Sequence, residues 1–241
     1  MSDINYVSFP AVTNADQDGL LAMGGDLSVD TLVSAYKQGI FPWFSDEQPI
    51  LWWSPDPRMV LVPNEVKVSR SLAKKIRQQR FTVSCNQRFK EVITSCALRG
   101  QASNSDANHS DTWITQSMTE AYISLHKQGY AHSIEVWQAG QLVGGLYGLA
   151  LGEVFFGESM FSRATDASKF ALANLCAWLR LNAYQLIDCQ VSSSHLQSLG
   201  AKEITRQTFL ESLDNIDIHQ TSHNFGKDIS QLPTESVINK A

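Results

Sequence analysis

Two short stretches of this chain put carboxylates and an amide, groups able to orient a nucleophile or move a proton, where a strand would be expected to carry only apolar residues. Gly157-Glu158-Ser159-Met160-Phe161-Ser162-Arg163 and Leu186-Ile187-Asp188-Cys189-Gln190 each set a carboxylate inside a sheet-forming run. An ionised carboxylate in an apolar interior is costly unless paired or hydrogen-bonded, so such an acid marks either a structural pair or a working site. Alternation along a strand over residues 185–191 sends Ile187, Cys189 and Val191 to one face and Leu186, Asp188 and Gln190 to the other. Asp188 and Gln190 would then share a face, with Cα atoms about 6.6 Å apart. A carboxylate beside an amide can orient a nucleophilic amine or a water; the same two groups can equally hydrogen-bond to neighbouring strands or loops.

Aromatic and basic clusters add a second kind of chemistry. Phe41-Pro42-Trp43-Phe44 and Leu51-Trp52-Trp53-Ser54-Pro55-Asp56-Pro57-Arg58 bring three of the six tryptophans within eleven residues. They form either a proline-shaped aromatic core or a stacking surface for a base, where a flat ring contributes roughly 1–3 kcal/mol per base. Lys67, Arg70, Lys74, Lys75, Arg77 and Arg80 form a run with no acidic residue. Although the net charge is -5, the field there is positive, as phosphate binding requires; a solvated helix face has the same composition.

Elements able to hold these residues follow from periodicity. Turn glycines at Gly24 and Gly25 and a capping Asp26 or Ser28 lead into a helix over 31–37 that stops near Gly39. A helix carrying the basic run, a strand over 81–85 and a helix over 87–98 come next. Residues 99–111 are small and polar and predict a surface loop leading straight to Trp113, before a helix over 116–128. Strands over 132–137, 142–151 and 154–161, separated by short turns, predict an antiparallel meander. A helix over 167–181, capped by Thr165 or Asp166, returns the chain to the strand at 185–191, so the sheet is mixed and the class α/β. A short helix over 194–199 follows, and the polar segment beyond Gly226 is expected to be loose.

At 241 residues, 43% hydrophobic and 18% charged, the chain is ordinary globular protein, long enough for a large domain and a smaller one. Cysteines at 85, 96, 176 and 189 have no C-x-x-C spacing, which argues against a zinc site or a disulfide framework. The start has no basic n-region and no 18-residue apolar stretch occurs, so a soluble cytoplasmic protein is expected.

Six motifs taken in order resemble a known family: residues 39–44, 51–58, Thr112-Trp113-Ile114, His132-Ser133-Ile134-Glu135-Val136-Trp137, 157–162 and 186–190 are similar to the bacterial leucyl/phenylalanyl-tRNA-protein transferases, over about residues 9–215. The resemblance implies a small N-terminal domain (residues 1–64), an acetyltransferase-like (GNAT) domain (65–225) and a polar tail (226–241). It implies transfer of Leu or Phe, and less readily Met, from aminoacyl-tRNA to the N-terminal Arg or Lys of a protein, marking that protein for degradation, with no metal or cofactor. Trp43 and Trp113 match tryptophans associated with the 3'-terminal adenosine; Leu146, Phe155, Leu175 and Ile187 match the apolar donor pocket. Glu158 matches an acid of the site, Asp188 and Gln190 match the pair that helps the attacking amine, and Lys74, Lys75, Arg77 and Arg80 lie where an acceptor stem needs phosphate contacts. The loop at 99–111 and the tail depart from the family pattern.

Two other readings fit parts of the chain. An acetyl-CoA-dependent N-acetyltransferase needs a glycine-rich turn before a helix to cradle pyrophosphate, and Ser162-Arg163-Ala164-Thr165-Asp166-Ala167-Ser168 has no glycine. A non-catalytic tRNA- or degron-binding module needs only Trp43, Trp113 and the basic helix, and would tolerate loss of Asp188 or Gln190.

Overall fold

A computed structural model describes residues 4–102, 114–214, 216–217 and 224–238. Ser28 opens the first helix as expected, its hydroxyl accepting from the Thr31 N–H. That helix, α1 (Val29–Lys37), stands beside a small antiparallel sheet of β1 (Leu20–Met23), β2 (Phe41–Pro42) and β3 (Leu51–Trp53), in the order β1-β3-β2. Trp52 is the buried residue of β3; its indole N–H donates to the Gly24 carbonyl, so at this position the tryptophan is core.

The chain then enters a seven-stranded sheet through β4 (Arg58–Leu61). α2 (Arg70–Arg77), β5 (Thr82–Cys85), α3 (Phe89–Ala102) and α4 (Gln116–Lys127) follow. β6 (Ala131–Gln138), β7 (Gln141–Leu151) and β8 (Val154–Ser162) form the antiparallel meander read from the turns. α5 (Ala167–Leu181) crosses over to β9 (Leu186–Asp188), which pairs parallel with β8. α6 (Ser194–Ser198), β10 (Lys202–Ile204), α7 (Arg206–Glu211) and α8 (Thr234–Ile238) complete the order. The sheet runs β10-β4-β9-β8-β7-β6-β5 and is mixed, as expected.

One face of this sheet packs on α3 and α4 and merges with the core of the N-terminal segment through Tyr36, Phe156 and Phe209. The other face packs on α5, whose Leu175, Cys176 and Leu179 are fully buried; each such leucine contributes roughly 1.5–3 kcal/mol.

Four expectations are corrected. Strand β9 ends at Asp188 because Gln190 takes a left-handed backbone (φ 57), its N–H folding back 3.0 Å to Asp188 Oδ1. Asp166 precedes α5 with φ 72 and makes no capping bond, since Lys75 and Lys169 draw its carboxylate away; Ser162 Oγ accepts from the Ser168 N–H instead. Helix α3 continues to Ala102, and the rest of the expected loop, together with Trp113, lies outside the described residues. The segment 224–238 is packed. Phe225, Ile229 and Val237 are buried, Phe225 stacks on Phe155 and His132, and Trp178 Nε1 donates to the Lys227 carbonyl.

Candidate active site

Glu158 owes its position to an irregularity between β7 and β8. Tyr147 pairs with Ser159 and the next residue, Gly148, pairs with Gly157, so Glu158 is the extra residue of a bulge, a device that turns a side chain out of register. Glycine is required at 148, where a Cβ would lie 2.1 Å from the Phe156 carbonyl oxygen. Freed from the ladder, the carboxylate takes the Tyr36 hydroxyl on Oε1 at 2.7 Å and the Tyr122 hydroxyl on Oε2 at 2.9 Å. The two hydroxyl oxygens are also in contact; since each hydroxyl has one proton, a bond between them forms when the carboxyl is neutral and donates the third proton of the ring, and Gln190 Nε2 donates to Oε1 at 3.2 Å.

Burial pushes the Glu158 carboxyl up to about 7; the tyrosine hydroxyls and Arg58 work against that rise and the Asp188 charge adds to it. Near neutral pH the group therefore exists in both forms. Burial and the nearby Glu158 charge hold the Tyr36 and Tyr122 hydroxyls well above the usual phenol range, so both remain donors.

Leu146, Phe155, Leu175 and Ile187 do converge. With Leu61, Leu172 and Met160 they line a cavity of about 250 Å³ on the α5 side of the sheet. A neighbouring cavity of about 280 Å³ is walled by Phe41, Pro42, Trp43 and Val191. Glu158, Cys189, Gln190, Ser193 and Leu196 line both and so form the partition between them.

Asp188 is not in that partition. Arg58 grips it with Nε to Oδ1 at 2.8 Å and Nη2 to Oδ2 at 2.7 Å, and both side chains are 0% exposed. The expected shared face with Gln190 does not exist. What links the two is the Gln190 N–H on Asp188 Oδ1, so Asp188 acts on the site by fixing the backbone that carries Gln190 and through its charge on Glu158. Arg58 also donates Nη1 to the Gly39 carbonyl and lies between the Phe41 and Phe209 rings, coupling the wall below Trp43 to the same pair.

Of the basic candidates, Lys74, Arg77 and Arg80 are exposed. Lys75 is not a free charge: its ammonium bonds Asp166 Oδ2 at 2.6 Å and the Thr165 carbonyl at 3.0 Å. That pair places a carboxylate, held below its usual range by Lys75, at the start of α5, where a pyrophosphate cradle would have to be. The acid in 132–137 is accounted for locally, since Glu135 accepts from Ser84, Ser133 and the Arg88 N–H.

Sequence reasoning does not single out Tyr36, Tyr122 or Arg58 as members of the site. The usable signal is Glu158 itself: a buried acid needs donors, and these come from helices 122 and 36 residues away.

Comparison with known proteins decides the family. The profile described as leucyl/phenylalanyl-tRNA protein transferase matches residues 60–214, and that of its N-terminal domain matches residues 25–56. A leucyl/phenylalanyl-tRNA--protein transferase of Pseudomonas fluorescens (strain Pf0-1) is 56% identical over 211 residues, 87% of this chain and 91% of that protein. Another, of Syntrophobacter fumaroxidans, is 54% identical over 202 residues, 84% of each chain. The chain belongs to the leucyl/phenylalanyl-tRNA-protein transferase family. Among solved structures, a GCN5-related N-acetyltransferase from Kribbella flavida shares 10% identity with the transferase at a TM-score of 0.37, covering 69% of this chain and 57% of that one. L-PGS from Bacillus licheniformis gives 0.38 at 10% identity over 69% and 52%. At those scores neither likeness bears on function. Among the described residues no helix of the transferase is long and apolar enough to cross a membrane.

Proposed function

We propose that the transferase takes leucine or phenylalanine, and less readily methionine, from aminoacyl-tRNA and joins it to the N-terminal Arg or Lys of cytoplasmic proteins, marking them for degradation. The observation that carries this reading is the partition: Glu158 and Gln190 stand between an apolar cavity suited to the donor side chain and a cavity edged by Trp43. In this reading the terminal adenosine stacks on Trp43, with Trp113 as its second partner, and Lys74, Arg77 and Arg80 meet the acceptor stem.

The α-amine of the acceptor attacks the ester carbonyl. A C–N bond forms, the C–O bond to the terminal ribose breaks, and the amine proton ends on the released ribose hydroxyl. An N-terminal amine has an ordinary pKa of about 7.7–8.0, so about a tenth is already neutral at pH 7 and no strong base is needed. Holding amine and ester together in a site shielded from water supplies most of the acceleration. Gln190 can present its Oε1 to the amine, while ionised Glu158 offsets the charge of the acceptor residue. Asp188 and Arg58 are positioning residues: neither lines either cavity.

Labelled leucine on Leu-tRNA, offered with a peptide beginning with Arg and one beginning with Ala, tests the reading. Label on the Arg peptide alone is expected. Equal labelling of both peptides removes the acceptor rule, and acetylation from labelled acetyl-CoA would install an acetyltransferase in its place.

A further inference from the structure

The N-terminal segment carries a charge pattern that the tRNA-binding reading does not use. Residues 1–57 contain eight acidic side chains and one basic one, Lys37, so this segment is strongly negative, whereas the rest of the chain is slightly positive. Lys37 bonds the Leu213 and Asp214 carbonyls at the C-terminal end of α1. A phosphate backbone is repelled by such a surface, and a cationic polypeptide is drawn to it.

The same segment exposes an apolar strip. Met23 pairs with Leu51, the Trp43 N–H donates to the Leu51 carbonyl, and Trp43 and Trp53 pack with ring centroids 5.7 Å apart. Trp43 is 44% exposed and Met23 70% exposed, with Leu51 and Trp53 half-buried between them. Trp53 Nε1 donates to the Trp43 carbonyl, which leaves ring surface as what the strip presents. Exposed carboxylates rim both ends: Asp46 and Glu47 on the loop after Trp43, and Asp26 just beyond Met23. The strip begins at the wall of the second cavity, since Trp43 belongs to both. From Trp43 across Leu51 to Met23 is two inter-strand steps, roughly 10 Å, the length of about three extended residues.

We propose that this acidic-rimmed strip is the docking surface for the acceptor polypeptide beyond its first residue, favouring acceptors whose following residues are basic and apolar. The inference rests on the reading that the acceptor amine reaches Glu158 past the rim of the cavity where the terminal adenosine stacks on Trp43, so that Trp53, Leu51 and Met23 are what the polypeptide covers. The strip adjoins the cavity where the ester is attacked, and the sign of its charge selects a cationic polypeptide over the tRNA backbone, whose candidate phosphate contacts are on α2. Aromatic and methionine side chains adapt to varied apolar residues, while the carboxylates act over about a Debye length, ~8 Å at physiological salt.

The test is the triple variant Met23→Lys, Asp46→Lys, Glu47→Lys, with Met23→Ser as a milder companion; none of these residues lines either cavity. Three KM values are measured: for an Arg-Ala dipeptide, for a protein beginning with Arg followed by basic and apolar residues, and for Leu-tRNA. The expected result is a roughly tenfold rise in KM for the protein acceptor, loss of its salt dependence, unchanged kcat, and unchanged KM for the dipeptide and for Leu-tRNA. An unchanged protein KM in a folded variant overturns the proposal, as does a Leu-tRNA KM that moves as far as the protein's, which would give the strip to RNA. Failure of the unaltered transferase to use the dipeptide at all would instead remove the acceptor rule on which the proposal rests.

Discussion

Arg58 and Asp188, 130 residues apart, meet through two parallel hydrogen bonds at complete burial, and the backbone N–H of Gln190 closes on the same carboxylate. Removing one partner strands the other charge, so Arg58→Met is expected to destabilise the protein by about 3–5 kcal/mol. Adding Asp188→Leu should restore much of that loss, because a buried pair replaced as a unit leaves no orphan. Urea unfolding of the two variants checks this. If the double variant is no more stable than Arg58→Met, the pair is not what the single change breaks. Because Gln190 loses its anchor, kcat of the refolded double variant should stay low.

Glu158 gives the site a pH dependence near neutrality. Its folded carboxyl sits at about 7 against an ordinary 4.5, so the folded state holds the proton more tightly than the unfolded one. The resulting stabilisation is fully present below about 4.5 and is lost as pH rises through 7. Glu158→Gln should flatten stability over that window, measured as melting temperature against pH. Transfer should rise with pH through about 7 as the carboxylate ionises, and in the Gln variant only the acceptor amine's own titration should remain.

The proposed donor role of the apolar cavity predicts an asymmetric response to narrowing. Leu146→Phe adds volume to one wall and should impair phenylalanine transfer more than leucine transfer, shifting the ratio of kcat/KM by about tenfold or more. Equal losses for both donors would mean that Leu146 does not bound the side-chain space.

On α2, neighbouring lysines should behave differently. Lys74→Gln and Arg77→Gln are expected to raise KM for aminoacyl-tRNA and to lower the slope of log affinity against log salt by about 0.9 for each duplex phosphate that the variant no longer neutralises. Lys75→Gln releases Asp166 from its 2.6 Å pair, so it should act mainly on stability and leave the slope in place. Salt titrations of tRNA binding separate the two behaviours.

Local pattern carries the parts of the fold built from local pattern. Helix α5 spans the stretch its periodicity marks, and the meander strands follow their turns, which brings Leu146, Phe155 and Ile187 from three strands to one cavity. Gln190 cannot be placed this way. Alternation extends a strand until something stops it, and the stop is the Asp188 side chain capturing a backbone N–H two residues on. Tyr36 and Tyr122 read as ordinary aromatic core because nothing local shows that their hydroxyls meet one carboxylate. Average polarity misleads at 224–238, where Phe225, Ile229 and Val237 are enough to anchor an otherwise hydrophilic segment.

Phe225 stacks behind Phe155, 5.4 Å away, so the wall of the apolar cavity is backed by a ring encoded after all of its strands. A nascent polypeptide that has not yet reached this phenylalanine has the strands of the cavity but not the buttress behind them. The order of synthesis therefore makes the wall before its support, and completion of the cavity waits until nearly all of the described fold has been made.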